Sequence, residues 1–185
     1  MEPKSNIMYK STMTTGLILG VMLVVFSLII FLVGVNIIKP PLWASLIQYL
    51  IFIVGIVYGT KKFRDEDLGG EISYSRAFGF GVLSCVFAAI IYGIYMILHM
   101  NFIDTDYLTK LMSAMEEEYI KAGFSEEQTD AAMSMAGKMM KSPIMMSLIM
   151  VISFAFMGTI FSLVTSAFLK KEKPIFENTT ATKQE

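Results

Sequence analysis

Cysteine and histidine occur once each in these 185 residues, as Cys85 and His99. A lone cysteine excludes an intramolecular disulfide. The lone His99 is not accompanied by the nucleophile, paired carboxylates or metal ligands that a membrane hydrolase or protease needs. Charge is scarce as well: 17% of residues are charged, against about 25% in soluble domains. The net charge of −1 offers no reason to expect a nucleic-acid partner.

The scarcity is concentrated in four places. Residues 11–38, 40–60, 77–98 and 142–169 contain no Asp, Glu, Lys or Arg. A helix rises about 1.5 Å per residue, so about 20 residues cross a hydrocarbon core roughly 30 Å thick. The expected fold is therefore all-α and polytopic, with transmembrane helices at about 13–38, 42–61, 76–99 and 143–169. They form one membrane domain over residues 1–173, followed by a polar, disordered tail at 174–185. Ion-coupled transporters and pumps place ionisable groups inside the membrane, and their absence from these runs argues against active transport. Lys4 and Lys10 precede the first run as in a signal peptide. That run is too long for one, however, and no A-x-A site follows it, so a retained helix is expected.

Basic residues give an orientation. Ten lie on one side: Lys4, Lys10, Lys61, Lys62, Arg64, Arg76, Lys170, Lys171, Lys173 and Lys183. Five lie on the other: Lys39, Lys110, Lys121, Lys138 and Lys141. The expectation is a multi-pass protein of the bacterial inner membrane with both termini cytoplasmic. Within the runs, Gly16 with Gly20, Gly55 with Gly59, and Ala89 with Gly93 are small-xxx-small pairs. Such pairs let helix backbones approach closely in lipid. Pro40 and Pro41 suit a helix start, and Trp43 suits an interfacial belt.

Polar chemistry is left to the connections. The stretch 61–76 offers Lys61, Lys62, Arg64, Asp65, Asp67, Tyr74 and Arg76 as candidate contacts for a lipid headgroup or a partner protein, with Gly69 and Gly70 for a tight turn. Local ion pairs and interfacial anchoring explain the same residues more plainly. Between the third and fourth runs, Leu108, Leu111, Met112, Met115 and Tyr119 recur at helical spacing. Gly123 then stops that helix, and Ser125 with Gln128 forms a capping box for a second helix. An external amphipathic hairpin over 104–141 is expected, with eight acidic residues against four lysines. Methionine is abundant, at sixteen residues, and clusters from Met133 to Met150. Thioethers suit Cu(I), yet methionine is also a flexible apolar filler, and packing is the expected role. His99 at the outer interface is expected to be solvated or to cap a helix end. No cofactor, metal or catalytic residue is predicted.

Three stretches carry a resemblance. One holds Gly16 and Gly20. The second runs from Gly55 through Tyr58, Lys61, Lys62, Phe63, Arg64 and Asp65 to Gly69, Gly70, Ile72, Tyr74, Arg76 and Gly79. The third is the methionine-rich hairpin ending in Lys141, Ser142 and Pro143. Together the chain resembles an uncharacterised bacterial membrane family, frequent in Bacteroidetes, called domain of unknown function 4199. The resemblance implies a four-helix membrane protein and supplies no activity, cofactor or catalytic residue.

The sequence thus points to a structural or interaction subunit with the bilayer, a second copy or another membrane protein as partner. The alternatives are a small oligomeric transport component and a lipid-headgroup-binding or lipid-modifying protein. A reporter active only outside the cytoplasm, fused near Gln128, is expected to be active; silence there would reverse the orientation.

Overall fold

In the computed structural model, residues 4–140 and 142–171 are described. Lys141, Lys173, Lys183 and the tail 174–185, on which expectations were placed, lie outside them. The chain folds into α1 (Lys4–Leu32), α2 (Leu42–Lys62), α3 (Tyr74–Leu98), α4 (Tyr107–Lys121), α5 (Glu126–Met140) and α6 (Pro143–Leu169). Four helical stretches are long and apolar enough to cross a membrane: Asn6–Leu32, Leu42–Asp67, Tyr74–Ile103 and Ile144–Leu169.

The first helix departs from its expected span of 13–38 at both ends. It stops at Leu32 because Gly34 takes a φ of +79°. Gly34 N–H then bonds the carbonyl of Phe31 (2.9 Å), and Val35 N–H that of Ile30 (2.9 Å). This is a Schellman motif, in which a left-handed glycine satisfies the last helical carbonyls. The apolar residues that follow form a turn held by Asn36, whose Oδ1 accepts from the N–H groups of Ile38 and Lys39. At the other end the helix starts early, at Lys4. Ile7 and Met8 pack there against a buried cluster of Phe63, Ile72, Ala77 and Phe80.

The charged stretch after α2 is also helical, where a loop was expected. Phe63–Asp67 form a π-helical turn, with Leu68 N–H bonding Phe63 carbonyl at 3.2 Å. The turn keeps its backbone polar groups bonded while Phe63 is fully buried. The Phe63 ring stacks on Phe80 at 4.6 Å between centroids. A matching π turn, His99–Ile103, extends α3.

In the bundle, α3 packs between α1 and α6, and α2 lies against the same two neighbours. Small residues set these crossings. A side chain at Gly16 would bring its Cβ within 2.7 Å of the Ser84 carbonyl, and one at Gly20 within 3.1 Å of the Ala88 carbonyl, both on α3. Gly55 and Gly59 of α2 admit Leu19 and Thr15 of α1. Ala89 is buried, and Gly93 faces Val151 of α6. Gly81 and Cys85, on the same four-residue spacing, meet Ser162 and Gly158 of α6. Leu19, Leu23, Phe52, Ile56, Cys85 and Ala88 fill the centre. Lipid tails are as apolar as leucine, so such backbone proximity and packing hold membrane helices together.

The hairpin corner follows from local rules. Gly123 N–H bonds Ile120 carbonyl (3.0 Å) and Phe124 N–H bonds Tyr119 carbonyl (3.1 Å), with the Tyr119 and Phe124 rings in edge contact at 5.2 Å. Ser125 N–H then bonds Gln128 Oε1 (3.0 Å), and Gln128 N–H bonds Ser125 Oγ (3.3 Å). These are the reciprocal bonds of a capping box. Leu108, Leu111 and Met140 pack on Tyr95, Met96, Met100 and Met146 at the bundle mouth.

Gly16→Ala is expected to cost about 1–3 kcal/mol, the usual penalty of overpacking. Gly79→Ala meets only Met8 Cε at 3.5 Å, so helix propensity should leave it neutral or stabilise it by up to about 1 kcal/mol. Thermal unfolding in mild detergent ranks the two. Equal stabilities would refute the packing argument.

Candidate functional site

The polar residues between α2 and α3 do not converge on one site. Arg64 is half-buried and ties two ends together. Its Nε and Nη2 donate to the carboxylate oxygens of Asp65 at 2.7 and 3.1 Å, while Nη1 donates to the carbonyl of Leu169 at 3.2 Å. Leu169 is the last residue of α6, where free carbonyls and the negative pole of the helix dipole favour a cation. A planar guanidinium serves both partners, which a lysine ammonium would not do in this geometry. Gly69 and Gly70, with φ of +73° and +92°, turn the chain so that Ile72 and Lys171 exchange backbone hydrogen bonds at 3.0 and 2.9 Å. Tyr74 donates its hydroxyl to Leu163 carbonyl at 3.2 Å. Arg64, Asp65 and Tyr74 thus fasten α6 to the α2–α3 connection.

Asp67 and Lys62 point elsewhere. Asp67 accepts a hydrogen bond from Ser11 of α1 at 2.9 Å, and Lys62 lies 3.8 Å from Glu66. Lys61 and Arg76 are exposed and form no ion pair among the described residues.

Lys62, Glu66 and Asp67 line a groove between α1 and α2 of about 840 Å³. Its charged end adds Lys10, Ser11 and Thr14 from α1, and its other end is apolar, with Ile18, Met22 and Val54. Lys10 to Met22 is about 18 Å along a helix at roughly 1.5 Å per residue. The lining changes from charge to hydroxyl to hydrocarbon along that distance, in the order in which an amphiphile would present its parts. The lining glycines Gly55 and Gly59 let α2 lie close to α1 beneath the groove. No sequence pattern announces this site, because its walls come from two helices and a π turn.

The opposite end of the bundle corrects the expectation for His99. The residue is fully buried, neither solvated nor a cap. Its Nδ1 lies 2.9 Å from Tyr95 Oη, and the hydroxyls of Tyr95 and Tyr92 each donate to Ser27 Oγ at 3.4 Å. The rings of Phe31 and Tyr107 stand edge-on to the imidazole, at 4.9 and 6.0 Å. Nε2 has no hydrogen-bond partner among the described residues. The signal in the sequence was the spacing of Tyr92, Tyr95 and His99, which places all three on one helical face. Burial comes from the segment that follows α3, which brings Tyr107 over the ring. Burial also pushes the Tyr107 phenol up to about 12.

Lys39, in the turn between α1 and α2, holds the hairpin. It bonds Glu117 at 2.6 Å and Glu118 at 3.0 Å, and Lys121 adds a 2.7 Å contact to Glu117. Hydrogen bonds from Lys121 and then Lys39 pull the Glu117 carboxyl from 4.5 down to about 2. The same contacts with Glu117 and Glu118 raise Lys39 above 10.5. The methionine cluster divides: Met140, Met146 and Met150 join the packed mouth, while Met135 and Met139 are exposed.

A family model described as "Protein of unknown function (DUF4199)" matches residues 14–171. No curated protein and no solved structure matches the chain.

The Lys39–Glu117 contact carries a pH prediction. Glu117 is depressed in the folded state, so its contribution is present above pH 4.5 and is lost as pH falls towards about 2. Lys39 is raised, so its contribution is present below pH 10.5 and is lost above it. Spin labels at the exposed Val33 and at Glu116 should report a narrow distance distribution between those limits and one that broadens as pH falls towards about 2. Lys39→Met should broaden it at neutral pH. A distribution unchanged by acid or by that substitution would refute the tether.

Proposed function

The chain belongs to the DUF4199 family of proteins of unknown function, and we propose that it is a multi-pass membrane protein that holds a lipid between α1 and α2. One observation carries this reading: a groove of about 840 Å³ whose lining passes from charged to apolar within one leaflet's depth. Ligand sites are typically concave, about 300–1,000 Å³, and mostly apolar with a few placed polar groups. Two of the basic residues on the more basic side of the membrane, Lys10 and Lys62, line the groove's charged end. By the positive-inside bias that end faces the cytoplasm and the hairpin faces outward.

A second reading, an interaction subunit, has its own support in the hairpin. Ile120, Phe124, Met135 and Met139 are exposed there, beside the acidic run Glu116, Glu117 and Glu118. A recess of about 560 Å³ lies between Lys39 and α4. A partner protein or a second copy would meet this surface. A transport pathway would have to form between copies, because Leu19, Leu23, Phe52 and Ile56 fill the centre of one bundle.

Thr14→Trp with Ile18→Trp should fill the groove from its exposed rim and leave the core untouched. Lipid retained per protein after purification in mild detergent should fall about threefold or more, a loss of about 0.7 kcal/mol of binding as the indole rings take the lipid's place. Retention equal to that of the original chain, in a double variant of normal helicity, would sink the lipid reading.

A further inference from the structure

From the charges at the head of this groove, we propose that its occupant is a phospholipid whose headgroup carries a primary amine. The inference rests on the lipid reading above and adds the headgroup. The hydrocarbon half of the groove supplies no selectivity, since an acyl chain gains little by leaving one apolar surroundings for another. Discrimination belongs to the polar end, which carries both signs: Lys10 and Lys62 with Glu66 and Asp67.

An anionic headgroup without an amine would satisfy the lysines and set its phosphate against two carboxylates. A zwitterionic headgroup answers both signs, with its phosphate towards the lysines and its ammonium towards Glu66 and Asp67. The two carboxylates keep acceptor capacity for the ammonium. The Lys62–Glu66 pair is loose at 3.8 Å, and both partners are more than half exposed. Asp67 spends one oxygen on Ser11, at 2.9 Å, and a carboxylate has about four acceptor positions. Charge-assisted N–H donors make the stronger hydrogen bonds to carboxylates. A primary ammonium offers three such donors, and a quaternary choline offers none. Headgroups with the amine are therefore favoured over choline as well as over glycerol.

The test uses the full chain in mild detergent with an equimolar mixture of phosphatidylethanolamine, phosphatidylcholine and phosphatidylglycerol, the bound species being counted by native mass spectrometry. The original chain should enrich ethanolamine over glycerol by about threefold, the range of one or two exposed ion pairs. Glu66→Gln with Asp67→Asn should bring that ratio to about one. Both residues are exposed, and asparagine can still accept from Ser11, so the fold is retained; Glu66→Gln alone should give an intermediate ratio. No enrichment in the original chain, or an enrichment that survives the double substitution, overturns the headgroup assignment while the groove stands. Lipid retention that survives Thr14→Trp with Ile18→Trp overturns the groove itself.

Discussion

The close approach of α3 to α1 on one side and to α6 on the other is the constraint on which the rest of this structure depends. Apolar side chains gain nothing in lipid by leaving hydrocarbon for a protein interior, so helices associate where backbones come near enough for dense packing. Gly16 and Gly20 provide that on the α1 side, and Gly81 and Gly158 provide it on the α6 side. With both flanks of α3 occupied, α2 rests against α1 and α6, and one side of its seam with α1 stays open as the groove.

The two ends of the bundle solve a different problem, that of ending helices at an interface. At the charged end Arg64 joins the α2 side of the connection to the final carbonyl of α6, and Phe63 is buried beneath it. At the other end the hairpin lies over the mouth and shuts His99 away from solvent, with Lys39 tethering it through Glu117. Arg64, Tyr74 and Lys39 thus fasten elements together, while Lys62, Glu66 and Asp67 line a recess. Charged side chains meet open volume both at the groove's head and in the recess beside Lys39; the groove bears the functional proposal because its lining passes from charged to apolar along α1.

Much of the architecture was legible in the sequence. The four uncharged runs located four membrane-crossing stretches, because length and hydropathy are local properties. Gly123, Ser125 and Gln128 announced the hairpin corner, because caps form among residues three or four apart. Boundaries were less legible. The apolar run 11–38 conceals the stop at Gly34, and the charges of 61–67 conceal a helical continuation, because a single buried ring, Phe63, outweighs the polarity of its neighbours. His99 was misjudged for a related reason: its sequence position marks an interface, and only the chain folded over it makes an interior.

By itself, then, the sequence determined the membrane-crossing helices, the small residues available for close packing and the turn that joins α4 to α5, since each follows from local hydropathy, backbone freedom or capping. Tertiary structure alone decided which small residue meets which helix, that Arg64 closes α6 across 105 positions of chain, that His99 is buried, and that α1 and α2 part into a groove with both charges at its head. Those facts depend on the relative placement of whole helices, and no local rule encodes it.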